Sequence, residues 1–263
     1  MHQFVVVEIK RLLKSDFFSK FQMITLMLWP GLVILEMWYG FMAFPLEVFE
    51  RFAIIGRDQV FLFLILGHLS LLIFNSLVQS AWGMQFEKRQ GTLEGIFMTP
   101  VNRLVWLYSR CLAVLLSNSF IFMIGVTLVF LLALPLTAIN LGKMLLVMLL
   151  ILFSGVIWGG FLITLFFLVR DGTLLYSIFE GLQGVIAGIQ IPISVYPLIL
   201  RSFASLFPLT YTVLIVRGLF FQTLTVHYFL MYAVINAALV IATVILFSLG
   251  EKYLRKNGNF NLY

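Results

Sequence analysis

Charged residues are scarce in this 263-residue sequence, in which Asp, Glu, Lys and Arg make up 11% and hydrophobic residues 62%. A soluble domain has about 25% charged and about 45–50% apolar residues. The chain therefore lacks the polar side chains that would cover a water-exposed surface, and its mean hydropathy of +1.08 agrees with this. The composition excludes an ordinary soluble enzyme and indicates that much of the surface faces lipid.

Further absences narrow the class of protein. The single cysteine, Cys111, lies in an apolar run and excludes an intrachain disulfide. A membrane β-barrel needs alternating segments of about ten residues, but the apolar runs are longer and do not alternate, so we expect helices. No Gly-x-x-x-x-Gly-Lys-Ser/Thr phosphate loop occurs. We therefore expect an all-α membrane protein in which any ATP-driven step needs a separate chain.

Long apolar runs predict six transmembrane helices in a single domain over residues 1–263. Residues 4–20 come first and separate apolar from basic side chains, which predicts an interfacial helix or an extension of the first span. The six predicted spans are 21–44, 60–82, 103–134, 144–169, 174–191 and 228–249.

Three prolines interrupt the apolar stretch 192–217, between the fifth and sixth runs. One regular helix cannot pass through Pro192, Pro197 and Pro208. Irregular backbone at membrane depth is tolerated only where protein or water satisfies it. We therefore expect a broken re-entrant segment, which also contains Arg217.

The Lys and Arg residues set the expected orientation. Cytoplasmic termini place most of the 17 Lys and Arg residues inside, and leave outside only Arg51, Arg57, Lys143, Arg201 and Arg217. The net charge of +6 then reflects membrane flanks rather than nucleic-acid binding. We expect a multi-pass protein of a prokaryotic plasma or inner membrane, with both termini cytoplasmic and stretch 192–217 on the outer side.

Loop 85–100 is the longest polar stretch between spans. Phe86 and Leu93 can pack on one side of it, which leaves Glu87 and Lys88 to water or a partner. Gly91 interrupts the helix and allows a bend, and the Thr-Pro pair at the end of the loop suits a helix start. An amphipathic element of this kind fits a helix-in-groove contact with a cytoplasmic protein; a solvated loop is the alternative. The candidate contact residues are Glu87, Lys88, Arg89, Gly91, Thr92, Leu93, Glu94, Thr99 and Pro100.

The order Glu-Lys-Arg-Gln-Gly-Thr-Leu-Glu over residues 87–94, followed by Thr99-Pro100, resembles the first cytoplasmic loop of permease subunits of type 2 ABC transporters. That family shows Glu-(Lys/Arg)-x-x-Gly-Thr-(Leu/Ile)-Glu and then Thr/Ser-Pro. The broken stretch 192–217 and the tail from Tyr253 to Tyr263 are similar to the family's outer segment and ending.

The resemblance implies that loop 85–100 is a coupling helix that docks into a separate ATP-binding subunit, where ATP and Mg bind. It implies a second permease copy or homologue, and no catalytic residue or cofactor in this chain. The implied function is ATP-driven export of an amphipathic, drug-like or lipid-like substrate. Alternatives are export of a lipid-linked polysaccharide, a secondary transporter, or a non-transporting membrane assembly factor.

Polar and small residues inside the spans are candidates for a transport path or for helix pairing. A carboxylate at mid-bilayer costs about 2.5–3.5 kcal/mol on insertion scales, so it should face protein or water. Small residues four apart let helices approach closely. His68 lacks a second ligand at metal-binding spacing, so we expect no metal site. The candidates are Glu36, His68, Asn75, Gln79, Glu180, Gly184 and Gly188, and the residues of the outer segment are Pro192, Pro197, Pro208 and Arg217.

Overall fold

A computed structural model of the protein describes residues 56–93, 95, 102–132, 134–169 and 171–257, with isolated positions between 6 and 40. Within these residues the chain is helical apart from short connections, and it contains no strand. The all-α prediction is therefore confirmed for this part of the chain. Most of the predicted helix 4–20 and of span 21–44, together with Glu94, Thr99 and Pro100, lies outside the described residues.

The described residues give the bounds of seven α-helices. They are α1 (Arg57–Arg89), α2 (Arg103–Leu132), α3 (Ala138–Leu168), α4 (Thr173–Ile186), α5 (Leu198–Ala204), α6 (Pro208–Phe221) and α7 (Val226–Asn257). One end of the bundle, here called the loop end, contains the last residues of α1, α3 and α7 and the first residues of α2 and α4. The opposite end, here called the broken-helix end, contains the end of α4, the short helices α5 and α6, and the start of α7.

Three helices of the described residues are long and apolar enough to cross a membrane: Asp58–Arg89, Ala138–Leu168 and Val226–Lys252. Helices α5 and α6 pass the same test together, but they are bent by 92° at their junction, as in a broken span or a re-entrant loop. The described residues therefore hold three such helices, or four if the bent pair is one span. These three helices cover the predicted spans 60–82 and 228–249 and all but the last residue of 144–169.

Helix α1 forms the centre of the bundle and packs against α2, α3, α4 and α6. Its most apolar window is 78% buried, against 17% for that of α7. Large side chains such as Phe74 and Leu77 are fully enclosed on α1. Because α7 exposes most of its apolar surface, it lies at the periphery, where lipid would satisfy that surface.

The fifth predicted span, 174–191, is wrong at its end. Helix α4 stops at Ile186, and Gly188 turns the chain with a φ of 75°. That left-handed conformation favours glycine, and a Cβ at Gly188 would lie 2.5 Å from Ile193 Cγ1. Gly184 and Gly188 therefore do not share one helix, and Gly188 is a turn residue rather than the predicted helix-pairing residue.

Arg217 fixes the broken-helix end. Its guanidinium is buried and donates from Nη1 to the Gly188 carbonyl at 2.6 Å, from Nη2 to the Ile189 carbonyl at 2.6 Å, and from Nε to the Phe63 carbonyl at 3.0 Å. It also stacks 3.4 Å from the centroid of the Phe63 ring. Gly67 leaves the space, because a Cβ there would overlap the guanidinium. One side chain of α6 thus joins α1 to the chain beyond α4.

Two glycines let α3 approach α1 and α2. A Cβ at Gly159 would lie 2.8 Å from Leu77 Cδ2 and 3.0 Å from Cys111 Sγ. A Cβ at Gly155, one turn earlier, would lie 3.4 Å from Leu77 Cδ1, which is ordinary contact. The two positions of this Gly-x-x-x-Gly pattern therefore differ in how closely they are packed.

We predict that Gly159→Ala lowers stability by about 1–3 kcal/mol, because the added methyl overpacks a filled core. Gly155→Ala should cost less than about 1 kcal/mol, and Gly142→Ala, with nothing within 4 Å of the new Cβ, is the matched control. Thermal unfolding in detergent, followed by size-exclusion chromatography, measures the differences. Equal losses at Gly155 and Gly159 would contradict this account of the packing.

Candidate functional site at the loop end

The last turns of α1 are hydrogen-bonded to the end of α3. Gln85 Nε2 donates to the Phe166 carbonyl at 2.7 Å, and Lys88 Nζ donates to the carbonyls of Phe167 at 2.8 Å and Val169 at 3.0 Å. The last carbonyls of a helix have no partner within it, and a positive charge there is favoured by the helix dipole. Gln85 and Lys88 therefore satisfy groups that α3 leaves open, and they fix α1 to α3.

Two ion pairs connect the same end to α2 and α7. Arg110 Nη1 on α2 donates to Glu87 Oε2 on α1 at 2.5 Å, and both side chains are largely buried. Arg103, at the start of α2, pairs with Glu251 near the end of α7. Removing one member of a buried pair leaves an uncompensated charge, which is strongly destabilising. The loop end is thus connected through four helices.

A glycine turn ends α1. Gly91 has a φ of 71°, the left-handed conformation common just past a helix end. Its N–H donates to the Lys88 carbonyl at 3.2 Å, and Thr92 Oγ1 donates to the Glu87 carbonyl at 3.1 Å. Leu93 is 3% exposed and belongs to the central hydrophobic core. The turn is therefore folded back onto the helix and anchored by Leu93.

The outward side of this turn forms a small surface of mixed character, here called the turn surface. Its exposed side chains are Phe86, Arg89, Gln90, Thr92 and Asp171. Phe86 is 45% exposed, and its ring is perpendicular to that of Trp82, with the ring centroids 4.8 Å apart. The turn surface therefore offers an aromatic ring, both signs of charge and hydrogen-bonding groups.

Asp171 carries the negative charge of the turn surface. Its pKa is lowered because the backbone N–H and the hydroxyl of Thr173 donate to its carboxylate, at 2.9 Å and 2.7 Å, and Arg89 adds a smaller effect. The carboxylate therefore stays ionised at neutral pH. Because Asp171 precedes α4, its charge also suits the positive end of that helix.

The prediction of which residues of loop 85–100 are buried and which are exposed is partly wrong. Leu93 is buried, as expected, but Phe86 is exposed, while Glu87 and Lys88 bond within the bundle. The reason is that α1 continues to Arg89 instead of ending near Trp82, so the helical phase of the span extends into the predicted loop. Arg89 and Thr92 remain exposed.

The start of α2 is capped by Asn102. Asn102 Oδ1 accepts from the N–H groups of Leu104 at 3.1 Å and Val105 at 3.4 Å. This is the bonding pattern of an N-cap. Helix α2 therefore begins at Arg103, the residue at which the third span is predicted to begin, with Asn102 as its cap.

The candidate path residues of α1 lie against α4. Gln183 Nε2 of α4 donates to Asn75 Oδ1 of α1 at 3.3 Å, which forms a polar seam between the two helices. Gln79, one turn further along α1, is exposed, and Glu180 is partly exposed on α4.

The other candidates are more scattered. His68 is half-buried on α1, Glu36 is helical and exposed, and a Cβ at Gly184 would lie 3.7 Å from Leu71 Cδ2 of α1. In the described part of the chain, no three His, Cys, Asp or Glu side chains are grouped so that they could hold a metal. The candidates therefore do not converge on one site.

The sequence analysis missed the partners of the loop residues. Gln85 and Arg110 were not singled out, although Arg103 and Arg110 are seven residues apart and so share one face of α2. A buried bond between α3 and α7 was missed as well, in which Ser154 Oγ donates to Asn236 Oδ1 at 3.1 Å. Two arginines on one face of an apolar helix signal acidic partners, but nothing in the sequence identifies those partners.

Comparison of the sequence with protein-family models and with curated proteins found no match. The geometry of the loop end therefore carries the functional argument together with the motif itself.

We predict that Arg110→Met lowers stability by about 3 kcal/mol, because the largely buried Glu87 carboxylate loses its bond to the Arg110 cation. Arg89→Met, the exposed neighbour, should change stability by less than about 0.5 kcal/mol. Chemical unfolding in detergent measures both. In the double variant Glu87→Gln/Arg110→Met part of the loss should return, since the orphaned charge is gone; strictly additive losses would rule out a functioning pair.

Proposed function

We propose that the chain is the membrane-spanning permease subunit of an ATP-driven ABC exporter, which moves an amphipathic, drug-like or lipid-like substrate outward across a cell membrane. The observation that supports this proposal is the structure of the loop end. The motif over residues 87–94 combines a helix end, the Gly91 turn and an exposed turn surface with anchors in the bundle. A coupling element needs both an accessible contact surface and a firm connection to the spans.

The hydrogen bonds of the loop end supply that connection. Force applied at the turn surface reaches α1 directly, because Gln90 and Gly91 close the last turn of the helix. It reaches α3 through Gln85 and Lys88, and α2 through the pair Glu87–Arg110. In the proposed complex the partner subunit binds ATP and Mg, and this chain contributes the contact surface and the moving helices.

The exposed face of α4 is where a second permease would pack. Leu174, Ile178, Leu182 and Val185 are all exposed and lie three or four residues apart, so they share one side of the helix. The opposite side of α4 carries Gln183 and faces α1. A contiguous apolar stripe beside a polar seam suits a subunit contact. In this arrangement the loop end is cytoplasmic and the broken-helix end is outside.

Site-specific crosslinking tests the proposal. The single native cysteine, Cys111, is fully buried, so an added exposed cysteine can be labelled selectively. Thr92→Cys places a thiol on the turn surface, and Ser248→Cys places a matched exposed thiol on α7. In cells that co-express a candidate ATP-binding subunit, we expect crosslinking to it from Thr92→Cys and none from Ser248→Cys.

A functional variant completes this test. Arg89→Glu should reduce ATP-dependent transport in vesicles at least tenfold, because the substitution reverses a charge on the contact surface. It should not lower the unfolding temperature, because Arg89 is exposed. Lys252→Glu, an exposed cation at the same end, is the control and should transport normally. Full transport by Arg89→Glu, with Thr92→Cys reaching no protein partner, would exclude coupling through this turn.

A further inference from the structure

A cavity of about 650 Å³ opens at the broken-helix end, far from the loop end. Its walls come from α1, the turn before α5, helices α5 and α6, and the start of α7. Its volume lies within the range of small-molecule sites in proteins, about 300–1,000 Å³. The cavity is therefore large enough to enclose a ligand head group.

Basic side chains line this cavity. Arg201 of α5, Arg217 of α6 and His227 of α7 reach it from three elements, and no Asp or Glu is among the described residues that line it. Cationic and N–H donors that converge from separate directions match an oxyanion with several acceptor oxygens. The lining therefore selects for negative charge.

Arg217 has donors to spare. A guanidinium carries five N–H donors, and Arg217 uses three of them on the carbonyls of Phe63, Gly188 and Ile189. No carboxylate of the described residues pairs with it. A buried charge without a counter-charge is costly, so an anion in the cavity would balance the guanidinium and accept its remaining N–H groups.

Thr210 adds an unused hydroxyl. Its side chain lines the cavity, the residue is 2% exposed, and Oγ1 has no hydrogen-bond partner among the described residues. By contrast, Thr212 on the same helix donates to the Pro208 carbonyl at 2.9 Å. Thr210 lies in the first turn of α6, where the helix dipole is positive. A buried, unpaired hydroxyl at this position suits a ligand oxygen.

The rest of the cavity is apolar, and so is the surface beside it. Phe63, Leu214 and Phe221 line the cavity. Leu198 and Ile199 of the adjacent α5 are 82% and 71% exposed. A ligand whose anionic head lies among the arginines would have apolar surface on which to place a hydrocarbon chain.

We propose that this cavity binds the phosphate head group of an amphiphile, with Arg201, Arg217 and Thr210 as its ligands and the apolar chain running along α5. The site stands independently of whether the loop end binds an ATPase. A lipid and free phosphate share the head-group chemistry, so the experiment separates the two.

Binding of short-chain lipids to the purified full chain in a neutral maltoside detergent tests the site. We expect dihexanoyl phosphatidic acid to bind in isothermal titration calorimetry and to raise the unfolding temperature, and dihexanoyl phosphatidylcholine and inorganic phosphate to bind at least tenfold more weakly. Arg201→Gln and Thr210→Val should each weaken phosphatidic acid binding by about tenfold, the effect of losing one hydrogen bond to a charged group. Both variants should keep the fold, because the Arg201 side chain is exposed and valine has the shape of threonine.

Lys143→Gln removes a cation at the same end of the bundle but outside the described lining, and it should bind phosphatidic acid as the unaltered chain does. Unchanged affinity in both Arg201→Gln and Thr210→Val would overturn the site. Equal binding of phosphatidylcholine would overturn the requirement for negative charge. If inorganic phosphate bound as tightly as phosphatidic acid, the proposal that the ligand is an amphiphile would be overturned, and free phosphate would be the ligand.

Discussion

The broken-helix end depends on the hydrogen bonds that the Arg217 guanidinium donates to backbone carbonyls. These bonds are needed because a helix break within an apolar bundle leaves carbonyl groups without a helical partner. In lipid each unsatisfied backbone group costs several kcal/mol, and the chain turns away from helical bonding at Gly188 and Ile189. Arg217 serves both of these carbonyls and that of Phe63 with one planar group. A lysine ammonium, a compact point charge, lacks this fork geometry. The positions of α5, α6 and the start of α7 relative to α1 follow from these three bonds.

At the loop end, backbone carbonyls without a helical partner are bonded by other side chains. There the open carbonyls belong to the end of α3, and Gln85 and Lys88 of α1 satisfy them. Helix α1 is thus hydrogen-bonded near both of its ends: its Phe63 carbonyl accepts from the Arg217 side chain, and its Gln85 and Lys88 side chains donate to the end of α3. It is also the most enclosed of the described helices that could cross a membrane. Sliding α1 along its axis would break bonds at both ends together. Motion that begins at the Gly91 turn would therefore carry α1 and the end of α3 as one body.

Helix positions were predictable from the sequence where one physical constraint dominates. Long apolar runs satisfy their backbone in lipid as helices, so 60–82 and 228–249, and 144–169 except for its last residue, lie within observed helices. The prolines at 192, 197 and 208 predicted the helix breaks between α4 and α6 for a similarly local reason, since they cannot continue a helix.

What failed was decided by contacts far away in the chain. The apolar run of the fifth span continues beyond Ile186, and the one local signal for the end of α4 is Gly188, at the position where a left-handed glycine is common. The turn is held by Arg217, which is 28 and 29 residues away from the carbonyls it bonds. The inward side of the Gln85–Arg89 turn likewise depends on the carbonyls of α3, about eighty residues later. Sequence periodicity cannot reveal side chains that bond to distant backbone groups, because every residue type offers the same backbone carbonyl.

The double role of Arg217 links the fold to the proposed phosphate site. The guanidinium that holds the turn after α4 also lines the cavity, so a bound anion would lower the cost of keeping that charge buried. A ligand that binds only the folded state stabilises it in proportion to the logarithm of its concentration over Kd. The geometry of the turn after α4, and with it the position of α6, would therefore respond to occupancy of the cavity. Because α6 also packs against α1, occupancy would bias the helix whose other end carries the Gly91 turn, which places the two candidate sites at opposite ends of one central helix.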